Sequence, residues 1–104
     1  MTDFVLVYTG GATPENTTDT EAIMAEWGAW YGKMGDAIVD GGKPFGASKS
    51  VTGNGVSDGP TSSPAATGYT VIKADSLDEA AARVKDHPHI KYGGQVSVYE
   101  TFQM

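Results

Sequence analysis

Residues 68–100 constrain the fold more than any other stretch of the chain. Tyr69-Thr70-Val71-Ile72-Lys73-Ala74 alternates as a half-buried strand does. Ser76 and Glu79 then have the spacing of a capping box, and Leu77, Ala80, Ala81 and Val84 fall on one helical face. Pro88 disfavours helical backbone at His87, so this helix is predicted to end near Asp86. Gln95 to Phe102 reads as a strand, with Val96, Val98 and Glu100 on one face and Ser97, Tyr99 and Thr101 on the other.

A second unit of the same kind precedes it. Phe4 to Thr9 is a short apolar run ended by Gly10-Gly11, which predicts a central strand buried on both faces. Residues 12–19 are a polar loop. Thr18 with Glu21 repeats the capping-box spacing, and Ile23, Trp27, Trp30 and Met34 follow as one apolar stripe, broadened by Met24 and Tyr31. Gly35 is a helix stop; Ala37-Ile38-Val39 leading into Asp40-Gly41-Gly42 then predicts a second strand, with a helix continued through Ile38 as the competing reading. Between the units, residues 42–67 are rich in Gly, Pro, Ser and Thr. Short β-like pieces at 48–52 and 56–57 flank Gly53-Asn54-Gly55, so this excursion is expected to form a hairpin or to cover a site.

The order β-α-β, excursion, β-α-β predicts an α+β, ferredoxin-like split βαβ fold in one domain spanning 1–104, with a hairpin-like insertion at about 42–67. Both helices then cover one face of an antiparallel sheet. The other face wants a partner, and a homodimer closing into a dimeric α+β barrel is the expected solution. Thirteen acidic residues against seven basic ones, with no basic run, argue against nucleic-acid binding. The absence of cysteine removes disulfides and thiol chemistry. No apolar run reaches membrane-spanning length and the N-terminus lacks a leader pattern, so a cytoplasmic protein without a membrane partner is expected. The glycine-rich pieces do not lie between a strand and a helix, so no nucleotide or other cofactor is predicted.

Asp58-Gly59-Pro60, Gly68-Tyr69, Ala74 to Ala80, His87-Pro88 and Gly94 to Glu100 together resemble the YCII-related (DGPF) domain family. The resemblance covers the C-terminal half and implies a dimeric ferredoxin-like α+β barrel. Thr61 stands where that family's motif has phenylalanine. A first-helix histidine proposed in one branch to work with an aspartate falls at about Met24 here, so that dyad does not carry over. The family implies no single reaction, although a few members are similar to dehydrochlorinases or lactone-handling enzymes.

His87 and His89 are the two histidines and hence the side chains whose ordinary pKa lies near neutrality. His87 is a candidate proton-transfer group; its structural alternative is an imidazolium at a helix C-terminus. His89 is expected in an exposed turn, and the pair lacks a third ligand for a metal. Asp40 is the second catalytic candidate, with Lys43 nearby and a turn-forming role as its alternative. Trp30, Tyr69, Tyr8, Lys43 and Asp58 are candidate substrate-binding residues around a cleft between the first helix and the sheet, closed by the excursion. Core packing is the alternative for the tryptophans. Two functions remain open: an enzyme using acid-base chemistry on a small, partly apolar molecule, and a non-catalytic ligand-binding or accessory domain.

Overall fold

The computed structural model describes residues 2–10, 20–61 and 65–102; Thr18 and the 12–19 loop lie outside them. Strand β1 (Thr2–Gly10) runs between β5 (Ala66–Ala74) and β6 (Gly94–Glu100), and β2 (Ile38–Asp40) pairs with the outer side of β5. All pairings in this β2-β5-β1-β6 sheet are antiparallel. Helices α1 (Thr20–Met34) and α2 (Leu77–Val84) bring the covering residues of the core, and the short α3 (Pro88–Lys91) buries Pro88 and His89. This is the ferredoxin-like split βαβ arrangement that the order of elements predicts.

Strand alternation decides which residues the helices cover. Phe4, Leu6 and Tyr8 of β1 face the same side as Gly68, Thr70 and Ile72 of β5, and Phe4, Leu6 and Ile72 are fully buried. Each of these three apolar side chains contributes about 2–3 kcal/mol by leaving water. Trp30 and Met34 from α1, with Ala80 and Val84 from α2, complete the core. Val5 and Val7 point to the other side and are only half-buried. β1 is therefore central, as expected, but not buried on both faces, because helices cover one face alone.

The helix ends follow local chemistry. Gly35 at φ 52° stops α1 and leads through a 3-10 turn, Gly35–Ala37, into β2, so the strand reading of 38–40 prevails over a continued helix. Met24 is 62% exposed and lies off the buried stripe, being about 100° around the helix from Ile23. Ser76 caps α2 by accepting from the Glu79 N–H at 3.1 Å, while the Glu79 carboxylate pairs with Arg83. Only Ala80 and Val84, one turn apart, are buried on this short helix; Leu77 and Ala81 are exposed, contrary to expectation. The helix ends at Val84 and its last turn runs on through Asp86, as expected before Pro88; His87 is extended and Pro88 opens α3. Proline suits a first helical position because its missing N–H would have had no helical partner.

The excursion contains the expected hairpin, β3 (Lys49–Thr52) and β4 (Gly55–Asp58), as a two-stranded sheet of its own. It leaves the main sheet along β5, where Pro44 bridges Gly68 and the Phe45 N–H donates to the Thr67 carbonyl at 2.8 Å. Gly42 makes that departure possible. At φ 77°, a Cβ there would lie 1.6 Å from the Tyr69 carbonyl oxygen. Among the described residues, no helix is long and apolar enough to cross a membrane.

Candidate functional site

Between α1 and the sheet the core changes character from aliphatic to polar and aromatic. His87 is fully buried, with its ring centroid 4.3 Å from that of Trp30, 4.6 Å from Trp27 and 4.9 Å from Tyr8. Its Nδ1 accepts the His89 backbone N–H at 2.9 Å, which caps α3. A backbone amide can only donate, so Nδ1 carries a lone pair and the neutral ring has its proton on Nε2. That proton points at the Tyr8 hydroxyl, 3.1 Å away.

Beyond the imidazole the network ends on a carbonyl, which can only accept. Tyr8 donates to Thr70 Oγ1 at 2.7 Å, and Thr70 donates to the Gly41 carbonyl at 3.2 Å. The Tyr31 hydroxyl also donates to Gly41, at 3.0 Å, and lies 3.1 Å from Thr70 Oγ1. A relay thus runs from the buried imidazole across β1 and β5 to the turn after β2, where Gly41 is exposed.

Burial sets the protonation of this relay. Desolvation by the surrounding rings, reinforced by repulsion from His89, lowers the His87 pKa from 6.5 to about 4; Asp86 opposes this weakly. Burial likewise pushes the Tyr8 phenol upward. Both groups are neutral at pH 7. The imidazolium expected at a helix C-terminus is therefore replaced by a neutral ring capping the next helix. His89 is also buried rather than exposed: its Nε2–H donates to the Thr9 carbonyl at 2.8 Å, and its ring lies where a Cβ on Gly94 would be, 2.2 Å from Nε2.

The other candidates fall into separate places. Asp40 and Tyr69 meet at the sheet edge, where the Tyr69 hydroxyl donates to Asp40 Oδ2 at 3.2 Å. The Gly42 N–H donates to Oδ1 at 2.9 Å, the turn contact expected of an aspartate before glycines. The carboxylate raises the Tyr69 pKa. Phe45 stacks on Tyr69 with centroids 5.9 Å apart. Tyr69 alternates with the buried Gly68 and Thr70, so this pair lies on the opposite side of β5 from His87. Lys43 is exposed, and its carbonyl accepts the Tyr69 N–H. Asp58 pairs with Lys49 at 2.6 Å on the hairpin, apart from either group.

Trp30 is 4% exposed and faces His87, whereas Trp27 and Tyr31 of the same helix are half-buried. Tyr31 and Thr70 are the members of the relay that sequence reasoning missed. Tyr31 was legible only as a residue broadening the apolar stripe of α1; Thr70 had no signal beyond its place on a strand. A groove of about 470 Å³ lies between the ends of α1 and α2, lined by Lys33, Met34, Ala82, Arg83, Lys85 and Asp86, and reaches none of the candidates. Among the described residues, no three acidic or histidine side chains gather as a metal-holding set.

The fold and site define a small ferredoxin-like α+β protein with a neutral tyrosine-histidine relay under its first helix. No model of a protein family matches the chain, and no curated protein does. Among solved structures it is similar to 5-chloro-2-hydroxyhydroquinone dehydrochlorinase (TftG) from Burkholderia phenoliruptrix AC1100, in complex with 2,5-dihydroxybenzoquinone. The two share 18% identity and a TM-score of 0.59, over 97% of this chain and 95% of the other. At that identity the likeness shows the fold alone.

Proposed function

We propose that the protein is a homodimeric, YCII-related small-molecule enzyme that takes a flat, oxygen-bearing ring compound near the turn after β2. The observation that carries this reading is the relay from His87 to Gly41. A buried polar network needs every member satisfied, where aliphatic residues would pack with less demand, and this one ends one residue from Asp40. Asp40 takes a proton from a ring hydroxyl of the ligand and returns it to a ring carbon, Tyr69 donates to the Asp40 carboxylate, and Tyr31 offers a hydroxyl that Thr70 and Gly41 hold in place. His87 acts as a positioning residue through Tyr8, because both its nitrogens are committed. The dihydroxybenzoquinone held by the structurally similar dehydrochlorinase is a flat ring bearing oxygens, which supports the ligand class. The open sheet face, with half-buried Val5, Val7 and Val71 and exposed Tyr99, supports the homodimer.

The committed nitrogens also favour a second reading, a ligand-binding domain without turnover, since a histidine general base must offer a free lone pair. Titration with 2,5-dihydroxybenzoquinone, followed by tryptophan fluorescence, and release of chloride from a chlorinated hydroxyhydroquinone separate the two. The enzyme reading expects binding by wild type and Asp40→Asn but chloride release by wild type alone. Binding without release supports the second reading, and neither binding nor release refutes this ligand class. Light scattering that gives the monomer mass at micromolar concentration refutes the homodimer.

A further inference from the structure

We infer that the β3–β4 hairpin is an intersubunit arm whose Val51 and Val56 pack on a second copy of this chain. The inference rests on the homodimer reading and adds the segment that secures it. Val51 and Val56 stand directly opposite each other across the hairpin and are 73% and 66% exposed. Lys49 and Asp58, two residues away along each strand, share their face and pair at 2.6 Å. Of the eight strand residues, only Ser50 is buried, and the hairpin makes no strand pairing with the main sheet. It therefore stands clear of the α1–sheet cluster that the excursion was expected to close. A hairpin of two short strands is marginal in water without a surface to lie on. Its base is nonetheless braced, by Ser50 Oγ donating to the Gly59 carbonyl at 2.6 Å and the Gly59 N–H donating to Ser48 at 3.0 Å.

Interface area selects a second copy as the occupant. Three strands about 4.8 Å apart, overlapping over about 25 Å, with the three-residue β2 beside them, present roughly 400 Å² of open face per copy, so two faces together bury about 800 Å². A stable interface buries about 1,600 Å². One face of a hairpin with four residues in each strand spans about 140 Å². Two hairpins, each covering an equal area of the other copy, bring the total to about 1,400 Å², inside the range of stable interfaces, whereas the sheet faces alone fall short of it. The excursion leaves the sheet after β2, runs beside β5 at Pro44 and re-enters as β5, so the arm emerges at the β2 rim of the sheet, where a two-fold partner would pass.

The chain has no cysteine, so single thiols can be introduced cleanly. The test measures the dimer dissociation constant of wild type and of Val51→Lys/Val56→Lys by analytical ultracentrifugation. It also measures maleimide labelling of Val51→Cys, alone and combined with the open-face substitution Val71→Lys. The expected result is a dissociation constant raised at least about a hundredfold by the double lysine variant, with unchanged circular dichroism. Val51→Cys should label at least about tenfold more slowly in the dimer than in the Val71→Lys background. A wild-type monomer overturns both the dimer and the arm. A wild-type dimer whose hairpin variant associates equally well, or whose Val51→Cys labels at the monomer rate, overturns the arm alone.

Discussion

Replacing His87 with asparagine isolates the pH dependence that its burial creates. The ring has its pKa lowered to about 4 in the folded chain, against about 6.5 when unfolded. Between those values the unfolded chain binds more protons than the native one, so this contribution is complete above pH 6.5 and is lost as pH falls toward 4. The slope approaches about 1.4 kcal/mol per pH unit, and the whole loss is about 3 kcal/mol. Asparagine retains an oxygen able to cap α3 but does not titrate. Urea unfolding followed by tryptophan fluorescence at pH 7.5, 6.5, 5.5 and 4.5 should show wild type losing about 2–3 kcal/mol more than His87→Asn across the range. The Lys33–Asp86 and Lys91–Glu26 pairs lower the Asp86 and Glu26 pKa values, so their contributions disappear at lower pH, below the ordinary carboxylate range. Parallel pH profiles for the two proteins, or a His87 ring that titrates near 6.5 by NMR, would refute the buried, neutral assignment.

Tyr8→Phe deprives the Nε2–H of fully buried His87 of its acceptor, which should cost about 1–3 kcal/mol in urea unfolding with an unchanged m-value. Gly42→Ala should cost at least about 2 kcal/mol, because the new methyl meets the Tyr69 carbonyl at positive φ; Gly41→Ala, with open space around it, should be near neutral. Ser76→Ala removes the α2 cap and should lower stability by about 1 kcal/mol, seen as a reduced thermal midpoint.

Local patterns made much of the architecture legible. The Ser76 cap, the Gly35 stop, the extended His87 before Pro88 and the hairpin at Gly53-Asn54-Gly55 depend on contacts within a few residues, and each appears where local chemistry places it. Local patterns fall short where burial depends on distant chain. Met24, Leu77 and Ala81 fit helical periods yet face solvent, because a period defines a stripe without showing how far the sheet extends beneath it.

The candidate site divides the same way. That His87 and Asp40 carry titratable side chains beside turns is a property of the sequence. Their placement on opposite sides of β5 depends on strand register, which pairs Tyr8 with Gly68 and gives Thr70 and Tyr69 opposite directions. His87 and Tyr8 are 79 positions apart, and only tertiary packing brings them together. The sequence by itself determined the alternation, the caps and hence the βαβ units. The tertiary structure alone decided that His87 is dry, neutral and bonded at both nitrogens, because desolvation comes from the rings of α1 and β1 that close over it.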